Sequence, residues 1–408
     1  MILSTLLFLL QVSSQGIKPE PLPKPKLLQD HVVFVLDDVA SVDLQGLPLP
    51  NINRIASEGM VFTSAFANPV CWVTRRSLHY GHWWVGGGTP SCGGVLSPED
   101  PPPGLRSLGN LHPWRSALFG KWHLQPSQLG GPGCGPIDAG YSHFLAGSAS
   151  NTNNCGGNGY WDWVRYDDCT QTNSIEYEPL AVRDAFLNWW STNSSPGRLA
   201  VVSHNLAHAP FDEQIPASLL PRDYPVPTNS SERFRAMIVA SDALLGQMLG
   251  AIDPNSTTVW LISDNGTPPG VGGGHRGKGT VYERGINIPF MVWGAGVKPG
   301  VSDELVHVVD IYATLGGSGD GIDLTTILNG EGGKGHSMVL CGVRDPAQDE
   351  IDGSVCARSK FYKFRRTLQG PRREQFYVLP DEQTNRISDP TLADEVARHR
   401  AWLDANLP

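Results

Sequence analysis

Two apolar, β-branched runs, each closed by a pair of acidic or amide residues, constrain the fold of this chain most. His31 to Leu36 reads His-Val-Val-Phe-Val-Leu and leads directly into Asp37 and Asp38. Thr258 to Ser263 reads Thr-Val-Trp-Leu-Ile-Ser and leads into Asp264 and Asn265. A run without polar alternation is the pattern of a strand covered on both faces. Val61 to Phe66, Ser116 to Phe119, Leu199 to Ser203 and Ile288 to Trp293 read as further strands. Asn51 to Gly59, Pro179 to Trp190 and Arg233 to Ile252 have helical spacing. The alternation predicts an α/β fold with a mostly parallel central sheet flanked by helices. Residues 82–104 and 130–174 read as loop. The Gly-rich stretch from Gly316 to Gly335 reads as a boundary, giving a catalytic domain over residues 28–316. Strand-like Lys360 to Arg366 and Gln375 to Leu379, with a closing helix from Asp389 to Asn406, predict a small α+β subdomain over residues 336–408.

Ligands of open α/β sheets bind beyond the carboxyl ends of the strands. Both acidic pairs therefore face one crevice. Three carboxylates and an amide oxygen make a hard oxygen cage suited to Ca²⁺ or Mg²⁺. Without a cation such carboxylates repel one another. A single Asp after a strand is better explained as a helix cap. Two pairs after two buried strands favour a metal.

The 408 residues are 40% hydrophobic and 17% charged, ample for a globular core. The formal net charge of −9, with no long Lys/Arg block, argues against a nucleic-acid partner. An acidic protein that takes an anion must concentrate its cations locally. The apolar run from Met1 to Leu10 is too short for a membrane span and is followed by small residues, which predicts a signal peptide over residues 1–14. No later segment is apolar enough for a membrane anchor. Export to the extracellular space or a lysosome follows. The seven cysteines fit an oxidising compartment. Cys155 with Cys169, Cys341 with Cys356 and Cys92 with Cys134 are the expected pairs, leaving Cys71, although spacing alone does not fix connectivity. Asn193, Asn229 and Asn255 open glycosylation sequons.

Cys71 begins the segment Cys-Trp-Val-Thr-Arg-Arg-Ser-Leu-His-Tyr-Gly, helical from Trp72 on. A Cys at a helix N-terminus sits in positive potential, and Arg75 lies one turn on along the same face. This Cys-x-x-Thr-Arg-x-x-Leu-x-x-Gly pattern, after an Asp-Asp strand, resembles the signature of the sulfatases of the alkaline-phosphatase superfamily. Other blocks resemble that family in order: Gly120-Lys121-Trp122-His123-Leu124, Ala207-His208-Ala209-Pro210, Ser263-Asp264-Asn265-Gly266 and Gly277-Lys278-Gly279-Thr280. Val309 to Leu315 and Glu374 to Leu379 extend the likeness, which spans about residues 30–385.

The resemblance implies an alkaline-phosphatase-like fold and a sulfuric ester hydrolase. Cys71 would be oxidised to formylglycine by the formylglycine-generating enzyme, and its hydrate would attack sulfur. Asp37, Asp38, Asp264 and Asn265, with the Cys71-derived group, would hold Ca²⁺, with Mg²⁺ as the alternative. Arg75 would hold the hydrate, and Lys121 and Lys278 would neutralise the sulfuryl oxygens. His123 would assist breakdown of the intermediate, and His208 would protonate the leaving alcohol of a sulfated small molecule or carbohydrate. Outside the family pattern, both lysines read better as solvated cations, and both histidines as packed ones. His275, Arg276 and Glu283 line the same loop without an assigned role. Val73 stands where the family motif has Pro or Ala, Thr74 where it has Ser, and Tyr80 where it has Thr. These departures bear on the nucleophile, not on the cage. A phosphodiesterase or phosphonate monoester hydrolase of the same superfamily, and an inactive sulfatase-like binding protein, are the alternatives.

Overall fold

Residues along the central strand β1 (Asp30–Leu36) divide between the two faces of a sheet. Val32, Phe34 and Leu36 join one apolar cluster, and Val33 and Val35 join the opposite one. The period of two explains why an uninterrupted apolar run was needed: both faces are covered. The computed structural model describes residues 29–86, 105–124, 134–344, 353–368 and 373–407. The signal peptide expected over residues 1–14 and Cys92 lie outside them.

After β1 come α1 (Pro50–Glu58), β2 (Met60–Phe66), α2 (Cys71–Tyr80), β3 (Arg115–Lys121), α3 (Gly135–Asp138), β4 (His143–Ser148), β5 (Trp163–Asp167) and β6 (Thr170–Ser174). Next are α4 (Glu178–Thr192), β7 (Arg198–Ser203), α5 (Ser230–Leu249), β8 (Thr257–Ser263), α6 (Glu283–Ile286), β9 (Phe290–Gly294), β10 (Gly300–His307), α7 (Val309–Thr314) and α8 (Thr325–Leu328). The chain continues through β11 (Val339–Gly342), β12 (Ser354–Arg358), β13 (Tyr362–Thr367), β14 (Glu374–Val378) and α9 (Ala393–Asn406).

Among the described residues, ten strands form one mixed sheet in the order β10-β2-β9-β8-β1-β7-β3-β4-β5-β6. At its centre β8, β1, β7 and β3 run parallel, so their carboxyl ends share one edge. β9 runs antiparallel between β2 and β8, and β5 and β6 form an antiparallel margin. Phe186, Trp189, Ile238 and Leu244 from α4 and α5 cover one face, and Leu78, Ile311 and Tyr312 from α2 and α7 cover the other. Gly81 closes α2 at φ 72°, and a Cβ there would lie 2.2 Å from the Tyr312 ring, so glycine permits both the left-handed turn and the close approach of α7. β11 to β14 form a separate antiparallel sheet, packed by Val396 and Leu403 of α9.

Two expectations are corrected. The segment 130–174, read as loop, contains β4, β5 and β6. These strands are short and interleaved with Gly- and Asn-rich turns, which dilute the periodic signal. The expected Cys155–Cys169 and Cys92–Cys134 bridges are replaced by Cys134–Cys169. β5 separates Cys155 from Cys169; five extended residues span roughly 16 Å, beyond the reach of a disulfide. The tip carrying Cys169 folds back instead onto the start of β4, where the Asp168 amide donates to the Phe144 carbonyl. Cys155 is disulfide-bonded, though not to Cys169. Cys341 and Cys356 lie directly opposite each other on β11 and β12 as free thiols rather than a bridge, and Cys71 is also free. No helix among the described residues is long and apolar enough to cross a membrane.

Candidate active site

Strand register assembles the acidic cluster. Leu36 of β1 pairs with Ser263 of β8, which places Asp37 beside Asp264. The Asp264 amide donates to the Leu36 carbonyl at 3.0 Å, and the Asp38 amide donates to Asp264 Oδ1 at 3.1 Å. Successive residues on a strand point to opposite faces. Asp38 breaks that alternation by turning to φ 68°, a conformation Asp tolerates better than most side chains. Carboxylate oxygens of Asp37, Asp38 and Asp264 consequently lie within 4.8 Å of one another. Asn265 Nδ2 donates to Asp38 Oδ1 at 2.7 Å, tying the fourth residue to the same cluster.

These oxygens suit a divalent cation. Asp37 Oδ1 and Asn265 Oδ1 are buried without a hydrogen-bond partner, a costly state for a polar atom unless something else satisfies it. Burial, aided by the charge of Asp37, pushes the Asp264 carboxyl above its usual range. All three observations fit a hard cation among oxygen ligands.

Basic groups converge from four other places. Lys121, the last residue of β3, donates to Asp37 Oδ2 at 2.5 Å. Arg75 on α2 donates to Asp264 Oδ2 at 2.9 Å and to the Lys121 carbonyl and Ser203 Oγ at 2.8 Å each. Lys278, from the loop before α6, lies 2.6 Å from Asp38 Oδ1. His208, beyond β7, brings Nε2 to 3.7 Å from Asp38 Oδ2, and its Nδ1 lies 2.8 Å from the Ala209 carbonyl. Cys71 opens α2, and its Sγ lies 3.1 Å from His123 Nδ1. The residues expected to hold the metal or act in catalysis thus reach this crevice, whereas Arg276 turns to Glu382 and Glu283 to Arg358 and Lys363.

The surroundings set the protonation of the site's side chains. Burial raises the Cys71 thiol above its usual range despite the opposing pull of Lys121 and Lys278. Burial, reinforced by Lys121 and Arg75, holds His123 well below the ordinary imidazole range. Burial with Lys278 and Lys121 does the same to His208. Both rings are therefore neutral at pH 7.

The chain matches the family model described as Sulfatase over residues 29–320. It belongs to the sulfatase family. The sulfatase is 24% identical over 397 residues to N-acetylgalactosamine-6-sulfatase of Sus scrofa, across 85% of this chain and 68% of that relative. It is 30% identical to arylsulfatase A of Homo sapiens over 158 residues, 34% of this chain and 31% of the other. Its fold is similar to that of Ps i-CgsB, solved with k-i-k-neocarrahexaose, at a TM-score of 0.76, 17% identity and 93% coverage of both chains. A TM-score of 0.71 relates it to a protein solved with its substrate D-glucosamine-2-N,6-O-disulfate, at 14% identity over 92% of this chain and 97% of the other. The protein is therefore an enzyme of the sulfatase class, acting on sulfate esters.

Several supports of the sulfatase site were missed in the sequence. The Tyr160 hydroxyl lies 2.6 Å from the carbonyls of both Asn205 and His208 and shares its one proton between them. Glu178 accepts from the Asn205 amide and side chain, and Asn205 Nδ2 also reaches Ser148 Oγ. These residues brace the His208 segment from distant parts of the chain. Asn205, three residues before His208, was the available local signal; nothing local singles out Tyr160 or Glu178.

Proposed function

We propose that this sulfatase cleaves the sulfate ester of a sulfated carbohydrate through a formylglycine derived from Cys71, with Asp37, Asp38, Asp264 and Asn265 holding Ca²⁺. The observation that carries the reading is the convergence on one buried carboxylate cluster of Cys71, two lysines, one arginine and two histidines. The cation, when bound, would supply Lewis-acid stabilisation of oxygen charge, and the formylglycine would supply the nucleophilic oxygen.

The chain's own residues provide the rest. Arg75 bridges α2 to the ends of β3, β7 and β8, fixing the first turn of the nucleophile helix against the cage. Lys121 and Lys278 bring the positive charge that an entering sulfuryl group requires. His123 Nδ1 faces the Cys71 side chain and is placed to hold a proton there. Its neutral state suits a proton acceptor. His208 is placed to donate to the leaving oxygen, but burial and the two lysines favour its neutral form. An anionic sulfate ester brings charge of the opposite sign and favours the protonated ring. Because Nδ1 faces the Ala209 carbonyl, Nε2 is the nitrogen left to carry the exchanged proton.

The carbohydrate substrate is supported by the sugars named for the relatives. Maturation by the formylglycine-generating enzyme implies passage through the secretory pathway, to an extracellular or lysosomal destination. Paired substrates differing only in sulfate, phosphate or phosphonate test the reaction. Release of sulfate with preference over the phosphorus esters is expected. Turnover confined to the phosphorus esters would replace this reading with the phosphodiesterase or phosphonate hydrolase one.

A further inference from the structure

We infer that Lys363, on the C-terminal sheet, is a positioning residue for Lys278, so that the small sheet is a working part of the active site. The inference rests on the assignment of Lys278 to the sulfuryl group made above. Lys363 is fully buried on β13, an unusual place for a lysine. Its ammonium lies 2.7 Å from Glu283 Oε1, 2.7 Å from Glu382 Oε1 and 2.9 Å from the Val281 carbonyl. Three acceptors match the three donors of an ammonium, so nothing in this cluster is spare.

The acceptors surround the lysine loop. Val281 and Glu283 follow Lys278 by three and five residues. The Glu283 amide donates to Glu382 Oε2 at 2.9 Å, and Arg276, two residues before Lys278, donates to the Glu382 carbonyl at 2.8 Å. Arg358, paired opposite Lys363 between β12 and β13, donates to both Glu283 oxygens at 3.3 Å. The loop is thus held on both flanks by residues of the C-terminal region. Its middle is tied to the catalytic sheet: the Lys278 amide donates to the Thr267 carbonyl and the Gly279 amide to the Pro69 carbonyl, each at 2.8 Å. Between those anchors the Lys278 side chain reaches Asp38. Removing Lys363 leaves two carboxylates facing each other under the loop, and their repulsion acts on its backbone directly.

Lys363→Met tests this, read by steady-state kinetics and by amide hydrogen exchange of the full-length, matured protein. The expected result is a fall of about 10²-fold in kcat with a much smaller change in KM, the scale of a small misplacement of a catalytic group. Exchange should quicken in residues 276–283 and stay at the wild-type rate around Asp37 and Asp264. An unchanged kcat would overturn the inference. So would a lower kcat with wild-type exchange in the loop, or faster exchange throughout the molecule. Should Lys363→Met fail to fold, Glu382→Gln keeps the shape and removes one charge, and a severalfold loss with the same local exchange pattern is expected. A wild-type protein with no sulfate turnover would count against the proposed reaction, whereas the exchange result would still decide the role of Lys363.

Discussion

Asp37, Asp38, Asp264 and Asn265 stand at the ends of paired strands, whereas Cys71 stands on the first turn of a helix laid over the sheet. The cage is positioned by backbone register: two neighbouring parallel strands cannot shift without moving every buried residue on them to a different partner. The nucleophile is positioned by side chains. Thr74 Oγ1 accepts from the Asn68 amide at 3.0 Å, Val73 packs with Val70, Trp72 and Val343, and Arg75 pins the helix to the strand ends. The comparison teaches that the charge pattern belongs to the fold, while the proposed nucleophile, Cys71, is held by local packing.

The largest effect should come from Asp264→Ala. Metal analysis should find the ion lost, and kcat/KM should fall by about 10³-fold or more. The same change strips Arg75 of its closest carboxylate in a buried site, so denaturant unfolding should register a loss of about 3–5 kcal/mol. Cys71→Ala should abolish turnover equally while keeping the stability, with the metal retained by Asp37, Asp38, Asp264 and Asn265. A Cys71→Ala protein that loses its metal would erase the distinction between the two halves.

Acid should weaken both halves through buried histidines. Burial and the Arg75 charge lower His79, on α2, to about 3, and burial lowers His204, just beyond β7, to about 4. An unfolded imidazole titrates near 6.5, so the unfolded chain binds more protons below that pH. Stability is therefore full above about pH 6.5 and falls as the pH drops toward these lowered values. Unfolding at pH 5 should be easier than at pH 7 by about 2 kcal/mol for each histidine. His79→Gln should flatten the profile; an unaltered slope would show that α2 does not carry it. The smallest effect is expected from Val73→Pro. Val73 lies in the first helical turn, where a proline removes no intrahelical hydrogen bond. Restoring the family residue should raise the converted fraction of Cys71 severalfold with little change in the activity per converted site.

How much of this was readable in the sequence follows the same division. β1 and β8 announce themselves because burial on both faces demands an unbroken apolar run. The acids after them could be placed in one crevice because parallel strands share a carboxyl edge. Lys121, His123, His208 and Lys278 had no such physical signal and came only from the family pattern. The supports were invisible for a clear reason. Tyr160, Glu178, Lys363 and Glu382 act through contacts spanning tens of residues, and no local periodicity encodes these. The cysteine pairing failed similarly: spacing suggested Cys155 with Cys169, but the intervening strand carried them apart.

The most direct test of the central claim is the peptide mass of the Cys71 segment from protein secreted by its native host. The account predicts an aldehyde in place of the thiol at Cys71. An unmodified thiol throughout the secreted protein would contradict the formylglycine mechanism and leave an intact charge cage without its nucleophile.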